Sequence, residues 1–146
     1  MLLEGLIAIL LFSMGIIALV GLQAVAIKNT ADAKYRVEAA FLANQIIGQM
    51  WADNPTNLAG YAHHPTTAGG ACNFGGAASA NANVTAWLGD ATTPAPGTVA
   101  GNLPGATSAR QQIAIGAGNL VTVTICWQGP QETAPHSFVT AAQING

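Results

Sequence analysis

Charge is what this chain has least of. Of its 146 residues, 4 are Lys or Arg and 6 are Asp or Glu. The basic set is Lys28, Lys34, Arg36 and Arg110, too sparse to neutralise a row of phosphates. Charge therefore gives no support to nucleic-acid binding, and no specific nucleic acid is expected as a partner. So few acids also leave catalysis with few instruments. No paired acids, hydrolase elbow, phosphate loop or Cys-x-x-Cys is present, which marks a non-enzyme with no cofactor. The histidines are His63, His64 and His136. Two neighbours in a loop with one distant partner lack the convergent spacing a metal requires, so a surface pair is the simpler reading and no metal ligand is assigned. Aromatics make up only 6% of the chain. Phe12, Tyr35, Phe41 and Trp51 are expected to serve as core or packing residues.

What the chain does have is one long apolar run. After Glu4 no further charge occurs from Gly5 to Ile27. That suffices to span a hydrocarbon core, which takes about 20 helical residues. A secretory signal would carry a basic stretch ahead of a shorter apolar core, and nothing basic precedes this one. The sequence reads as one that starts after processing, with its apolar helix kept and a carboxylate near the tip. An acid in lipid costs roughly 2.5–3.5 kcal/mol at a helix centre and is by default a functional group awaiting a partner.

Met1 to Gly15, reading MLLEGLIAILLFSMG, resembles the mature N-terminus of a type IV pilin, where a prepilin peptidase cuts ahead of a short apolar segment ending in glutamate. The Leu-Leu-Glu form, with Phe12-Ser13-Met14-Gly15 and Leu19-Val20-Gly21-Leu22-Gln23, is most similar to PilV-type pilins. Trp87-Leu88, Leu103-Pro104-Gly105 and the segment Val121 to Gln128 fit the same subgroup. Two features depart from the family pattern: one residue fewer precedes the glutamate, and the apolar helix holds Gly15 and Gly21 but no proline. The resemblance implies that Glu4 meets the α-amino group at Met1 of a neighbouring subunit. It also implies a filament of identical copies, drawn from an inner-membrane pool by prepilin peptidase and the pilus assembly machinery. Gly15 and Gly21 bracket the stretch expected to loosen on assembly.

Along the chain, residues 1–27 form the apolar membrane or filament-core helix and residues 28–146 the head. Over 28–53 the pattern turns amphipathic, with Ala31, Tyr35, Ala39, Leu42, Ile46 and Met50 on one stripe. Asp32 with Arg36, and Lys34 with Glu38, are four-apart pairs on the wet side. Asn54-Pro55 should end the helix. Some 50 residues at about 1.5 Å each make a rod of roughly 75 Å, its apolar half protruding. The region 55–105 reads as loop, with a short helix at Ala82–Leu88 and an exposed proline-rich turn at 92–97. The sheet occupies 106–146: Ile113 and Ile115 alternate, a turn follows at 116–119, Val121, Val123, Ile125 and Trp127 share a face, and Phe138–Ile144 forms another strand. The fold class is α+β, a long helix on three or four antiparallel strands, as in type IV pilins.

Cys72 and Cys126 lie beyond the apolar segment, in what would be an oxidising compartment. There a pair is bridged more often than free, two buried thiols being the alternative. Such a bridge closes a loop worth about 4 kcal/mol in the chain-entropy model. Asn83-Val84-Thr85 matches the N-glycosylation triplet. The exposed Thr92-Thr93 loop is the better candidate for sugar decoration.

Three functional readings follow. One is a structural type IV pilus subunit, held in the inner membrane and then assembled into an extracellular fibre. Another is a minor tip or priming pilin, or a type II secretion pseudopilin, which the subgroup resemblance favours. The last is a bitopic protein with a ligand-binding periplasmic head. It leaves Glu4 without a purpose, and so ranks behind the others.

Overall fold

The computed structural model describes residues 1–144. The chain divides into an N-terminal unit, Met1–Lys34, and a second unit that begins at Tyr35. Helix α1 (Leu2–Ala52) supplies the whole first unit and opens the second.

Within the second unit the expected stripe is the seam of the core. Ala39, Leu42, Ile46 and Met50 are buried, Tyr35 is half-buried against them, and Ala43 and Ile47 widen the stripe. Spacings of three and four put these residues on one helical face. Helix α1 ends at Ala52 because Asn54-Pro55 cannot continue it. Asn54 caps the 3-10 turn Pro55–Tyr61 by accepting from the Thr56 amide at 3.0 Å. The Asp53 carboxylate accepts from the Tyr61 hydroxyl at 2.8 Å and the Asn57 side chain at 3.0 Å. Those bonds from Asn57 and Tyr61, with the Asn54 amide, hold Asp53 below the usual carboxylate range.

The main sheet is a three-stranded antiparallel meander of β3 (Gln112–Ile115), β4 (Leu120–Trp127) and β5 (His136–Gln143). Its register pairs Ile113 with Val123, Val123 with Thr140, and Trp127 with His136. Val121, Val123, Ile125 and Trp127 alternate inward onto the α1 stripe, and all are fully buried. Leu103-Pro104-Gly105 precedes the sheet, and a side chain at Gly105 (φ 61°) would meet the Gln128 carbonyl at 2.7 Å. Helix α2 (Ala82–Leu88) forms where the sequence places it, opened by Asn81 and closed at Gly89. Its Trp87 indole donates to the Leu42 carbonyl of α1 at 2.9 Å. A single turn, α3 (Val99–Asn102), adds Val99 to the core and presents the Asn102 amide to Glu38.

Four expectations need correction. Residues 55–80 are more ordered than a loop: they hold the 3-10 turn and a two-residue ribbon of β1 (Thr66–Thr67) with β2 (Phe74–Gly75). Strands that short carry no readable period. The strand read over Phe138–Ile144 begins at His136 and ends at Gln143. Phe41 and Trp51 are not core residues, at 60% and 50% exposed, because they lie away from the Leu42–Ile46 face; Phe12 is 71% exposed. Strand β4 is covered on both faces at its end, since Thr124 and Cys126 are also buried. There β3 has run out, and the Gln111 side chain takes the place of a neighbouring strand, accepting from the Cys126 amide at 2.9 Å and donating to its carbonyl at 3.1 Å.

Ile125 and Val139 sit on adjoining strands in opposite environments, buried and 57% exposed. Ile125→Ala should cost about 2–5 kcal/mol of stability and Val139→Ala under about 1 kcal/mol. Urea unfolding of the full chain in micelles, followed by tryptophan fluorescence, measures both. Equal losses would contradict this assignment of the core.

Candidate functional site

The first unit has the unusual chemistry. It contains the one helix among the described residues that is long and apolar enough to cross a membrane. Its Leu, Ile, Phe, Val and Met side chains from Met1 to Ile27 stand exposed, with nothing in the unit to cover them. Glu4 lies in the first helical turn, where the amide end of the helix dipole favours a carboxylate. The Gly5 amide donates to the Met1 carbonyl at 3.3 Å, so the helix runs to the chain start. Met1 and Glu4, the expected assembly pair, are both exposed.

The hydroxyl side chains of this unit, Ser13 and Thr30, are satisfied within the helix. Ser13 donates its hydroxyl to the Ile9 carbonyl at 2.7 Å, and Thr30 donates to the Ala26 carbonyl at 2.9 Å. The glycines behave differently. A methyl group at Gly5, Gly15 or Gly21 would meet nothing within 4 Å. Packing among the described residues therefore does not explain why these positions lack a side chain, although each glycine costs about 1 kcal/mol against alanine in a helix. Helix α1 is unbroken through Gly15 and Gly21.

In the second unit Cys72 and Cys126 form the expected disulfide, with an S–S distance of 2.01 Å. It joins the turn between β1 and β2 to the end of β4. Thr92 and Thr93 are exposed, as expected, and their hydroxyls donate to Asp90 at 2.7 and 3.1 Å. The Thr92 hydroxyl and amide, with the Thr93 hydroxyl, hold Asp90 below the usual carboxylate range. The Asn83 triplet is differently placed. Asn83 donates its side-chain amide to the Tyr61 hydroxyl at 2.6 Å, and the next residue, Val84, is fully buried.

The histidines depart most from the sequence reading. His63 is not at the surface but 1% exposed, its ring edge-on to His64 at 4.4 Å between centroids. Its Nδ1 accepts from the Ser79 amide at 3.0 Å, and its Nε2 lies 3.0 Å from the Ser108 carbonyl. His136 stacks on Trp127, with Nε2 3.1 Å from Glu132 Oε1. A buried histidine beside a half-buried one leaves no periodic signature, and only the His63-His64-Pro65 adjacency marked the place. Sequence reasoning also missed the outward face of α1 after Tyr35, where Val37, Phe41 and Trp51 stand exposed. No known protein family, curated protein or solved structure matches the chain.

The disulfide yields a direct mass prediction. Intact-mass measurement after denaturation and alkylation should show no labelled thiol without reductant, two with it, and a two-proton difference between the forms. Labelling of both cysteines in the unreduced protein would exclude the bridge. Reduction should lower unfolding stability by roughly 2–5 kcal/mol.

Proposed function

We propose that this chain is a structural subunit of a type IV pilus filament, held in the inner membrane before assembly into an extracellular helical fibre. What supports this reading is the pairing of a lone carboxylate with a helix surface that the chain leaves uncovered. An anchor needs neither Glu4 nor three glycines without neighbours, whereas helices packed against copies of themselves can use both. Small residues let helix backbones approach closely, and an acid that costs energy in lipid gains a partner. The N-terminal motif from Met1 to Gly15 is the sequence feature on which the family reading rests. The resemblance of residues 121–128 to PilV-type pilins favours a second reading, a minor tip or priming subunit or a pseudopilin. Purifying sheared surface fibres and weighing their dominant subunit separates the two.

In the proposed fibre Glu4 neutralises the α-amino group at Met1 of a neighbouring copy. Two isolated charges would be costly in that core, and a close pair in low dielectric offsets part of the cost. Glu4→Ala should leave membrane insertion intact and reduce fibre yield at least several-fold, as read by quantifying sheared pili against the membrane pool. Normal piliation by this variant would remove the proposal.

Assembly should also loosen α1 between Gly15 and Gly21. In lipid the stretch stays helical, because no water is there to satisfy freed amides. Among neighbouring helices it can exchange some backbone bonds for packing, and the two glycines make this the least costly place to do so. A fibre structure in which the Leu11–Ala26 stretch keeps regular helical bonding would show the expectation to be wrong.

A further inference from the structure

We propose that His63 and His64 form an acid-releasable clasp closing the base of the β1–β2 segment, residues 65–78, onto the main sheet. The backbone of His63 makes a two-way bridge with Ile113, its amide donating at 3.0 Å and its carbonyl accepting at 2.9 Å. That fixes one end of the segment on β3. The returning end is held by the two imidazoles. His64 donates its backbone amide to the Ala77 carbonyl at 3.0 Å and its Nδ1–H to the Gly76 carbonyl at 2.9 Å. His63 receives the Ser79 amide on Nδ1.

These partners dictate the protonation state of His63. A backbone amide only donates, so Nδ1 must offer a lone pair. The Ser108 carbonyl only accepts, so Nε2 must carry the proton. The buried ring is thus held neutral in one tautomer. A second proton could go only on Nδ1, where it would face the Ser79 N–H and leave a charge out of water. His64 differs, since its Nδ1–H bond survives whether the ring is charged or not. Its charge, when present, lies against His63.

Among the described residues the His64 imidazole faces the His63 ring edge-on, at 4.4 Å between centroids. Arg110 directs Nη1 to Gln128 Oε1 at 3.0 Å, and the Asp53 carboxylate is engaged by Tyr61 and Asn57. Burial pushes His63 below its ordinary value of 6.5, the Ser108 bond opposes this, and the His64 charge adds to the lowering. With a depressed pKa in the closed form, the open form binds more protons. Closure is therefore fully stable above about pH 6.5 and weakens as pH falls below it.

Release would travel a defined distance. Ser79 donates its hydroxyl to the Gly60 carbonyl at 2.6 Å and accepts from the Asn81 amide at 3.2 Å. Asn81 in turn caps α2. Cys72, within the segment, stays covalently tied to Cys126. Acid thus opens the base while the disulfide holds the tip.

Hydrogen exchange on the full chain in micelles tests this, with rates corrected for intrinsic pH dependence. Between about pH 7 and pH 5, protection of the His64 and Ser79 amides should fall by up to about 25-fold, the limit for uptake of one proton by a group that titrates near 6.5 when open. Amides in the middle of β4 should hold. His63→Asn keeps an oxygen near the Nδ1 position but cannot titrate, so its protection should be flat with pH. If that variant does not fold, a ¹⁵N titration of the His63 ring in the unaltered chain decides, the expected result being an Nε2–H tautomer that persists below the ordinary imidazole midpoint. Constant protection of Ser79, equal loss throughout β4, an undiminished slope in His63→Asn, or an Nδ1–H tautomer would each overturn the clasp.

Discussion

Covering the stripe of Ala39, Leu42, Ala43, Ile46, Ile47 and Met50 is the constraint on which the second unit's arrangement depends. The two alanines on the stripe are fully buried, which keeps the helix surface low there and lets other elements come close to its backbone. Strand β4 answers with Val121, Val123, Ile125 and Trp127, a stiff and bulky set suited to a pleated surface. At about 25 cal/mol per Å² of apolar area, a few such side chains outweigh every surface charge pair in the chain. Trp87 serves the same end twice over, filling space with its ring and satisfying a helix carbonyl with its indole.

The remainder of the second unit is largely polar joinery around that core. Asn54, Asn81 and Thr98 each open a helical turn by accepting a backbone amide. Tyr61, Asp53 and Asn83 tie the end of α1 to the turn after it and to α2. These groups are short and mostly neutral, so the unit needs little charge to be specific. The first unit is organised on a different principle. Its backbone bonds and hydroxyls are satisfied within the helix, and its apolar side chains are satisfied by nothing in the unit.

How far the fold was legible depended on whether a feature repeats. Helix α1, with its amphipathic stripe and its end before Asn54-Pro55, follows from a period of 3.6. Strand β4 follows from a period of two, and α2 forms where the short helix was read, its Asn81 cap and closing Gly89 visible only in the structure. The α+β class comes from the same signals, and the Cys72–Cys126 bridge from a count of two. What could not be read was set by single tertiary meetings. The β1–β2 ribbon is two residues wide, His63 is buried because the Ser79 and Ser108 segments converge on it, and the outward placement of Phe41 and Trp51 depends on which helical face the sheet selected. At the apolar tip the sequence was as informative as the structure, because the described residues hold no partner for Glu4 and no neighbour for the glycines to reveal.

Gln111 has a consequence for what the chain can tolerate. Its side-chain amide imitates a peptide group, one donor and one acceptor held at the spacing of a backbone partner, at the place where β4 would otherwise present an unpaired amide and carbonyl at Cys126. Glutamate has the right shape but would lack the donor and bring a charge into a fully buried position, while asparagine falls one methylene short. Leucine would fill the volume and leave Cys126 with two orphaned groups. A position that looks like an ordinary polar residue between a turn and a strand therefore permits almost no substitution, and inheritance should hold it as tightly as a cysteine.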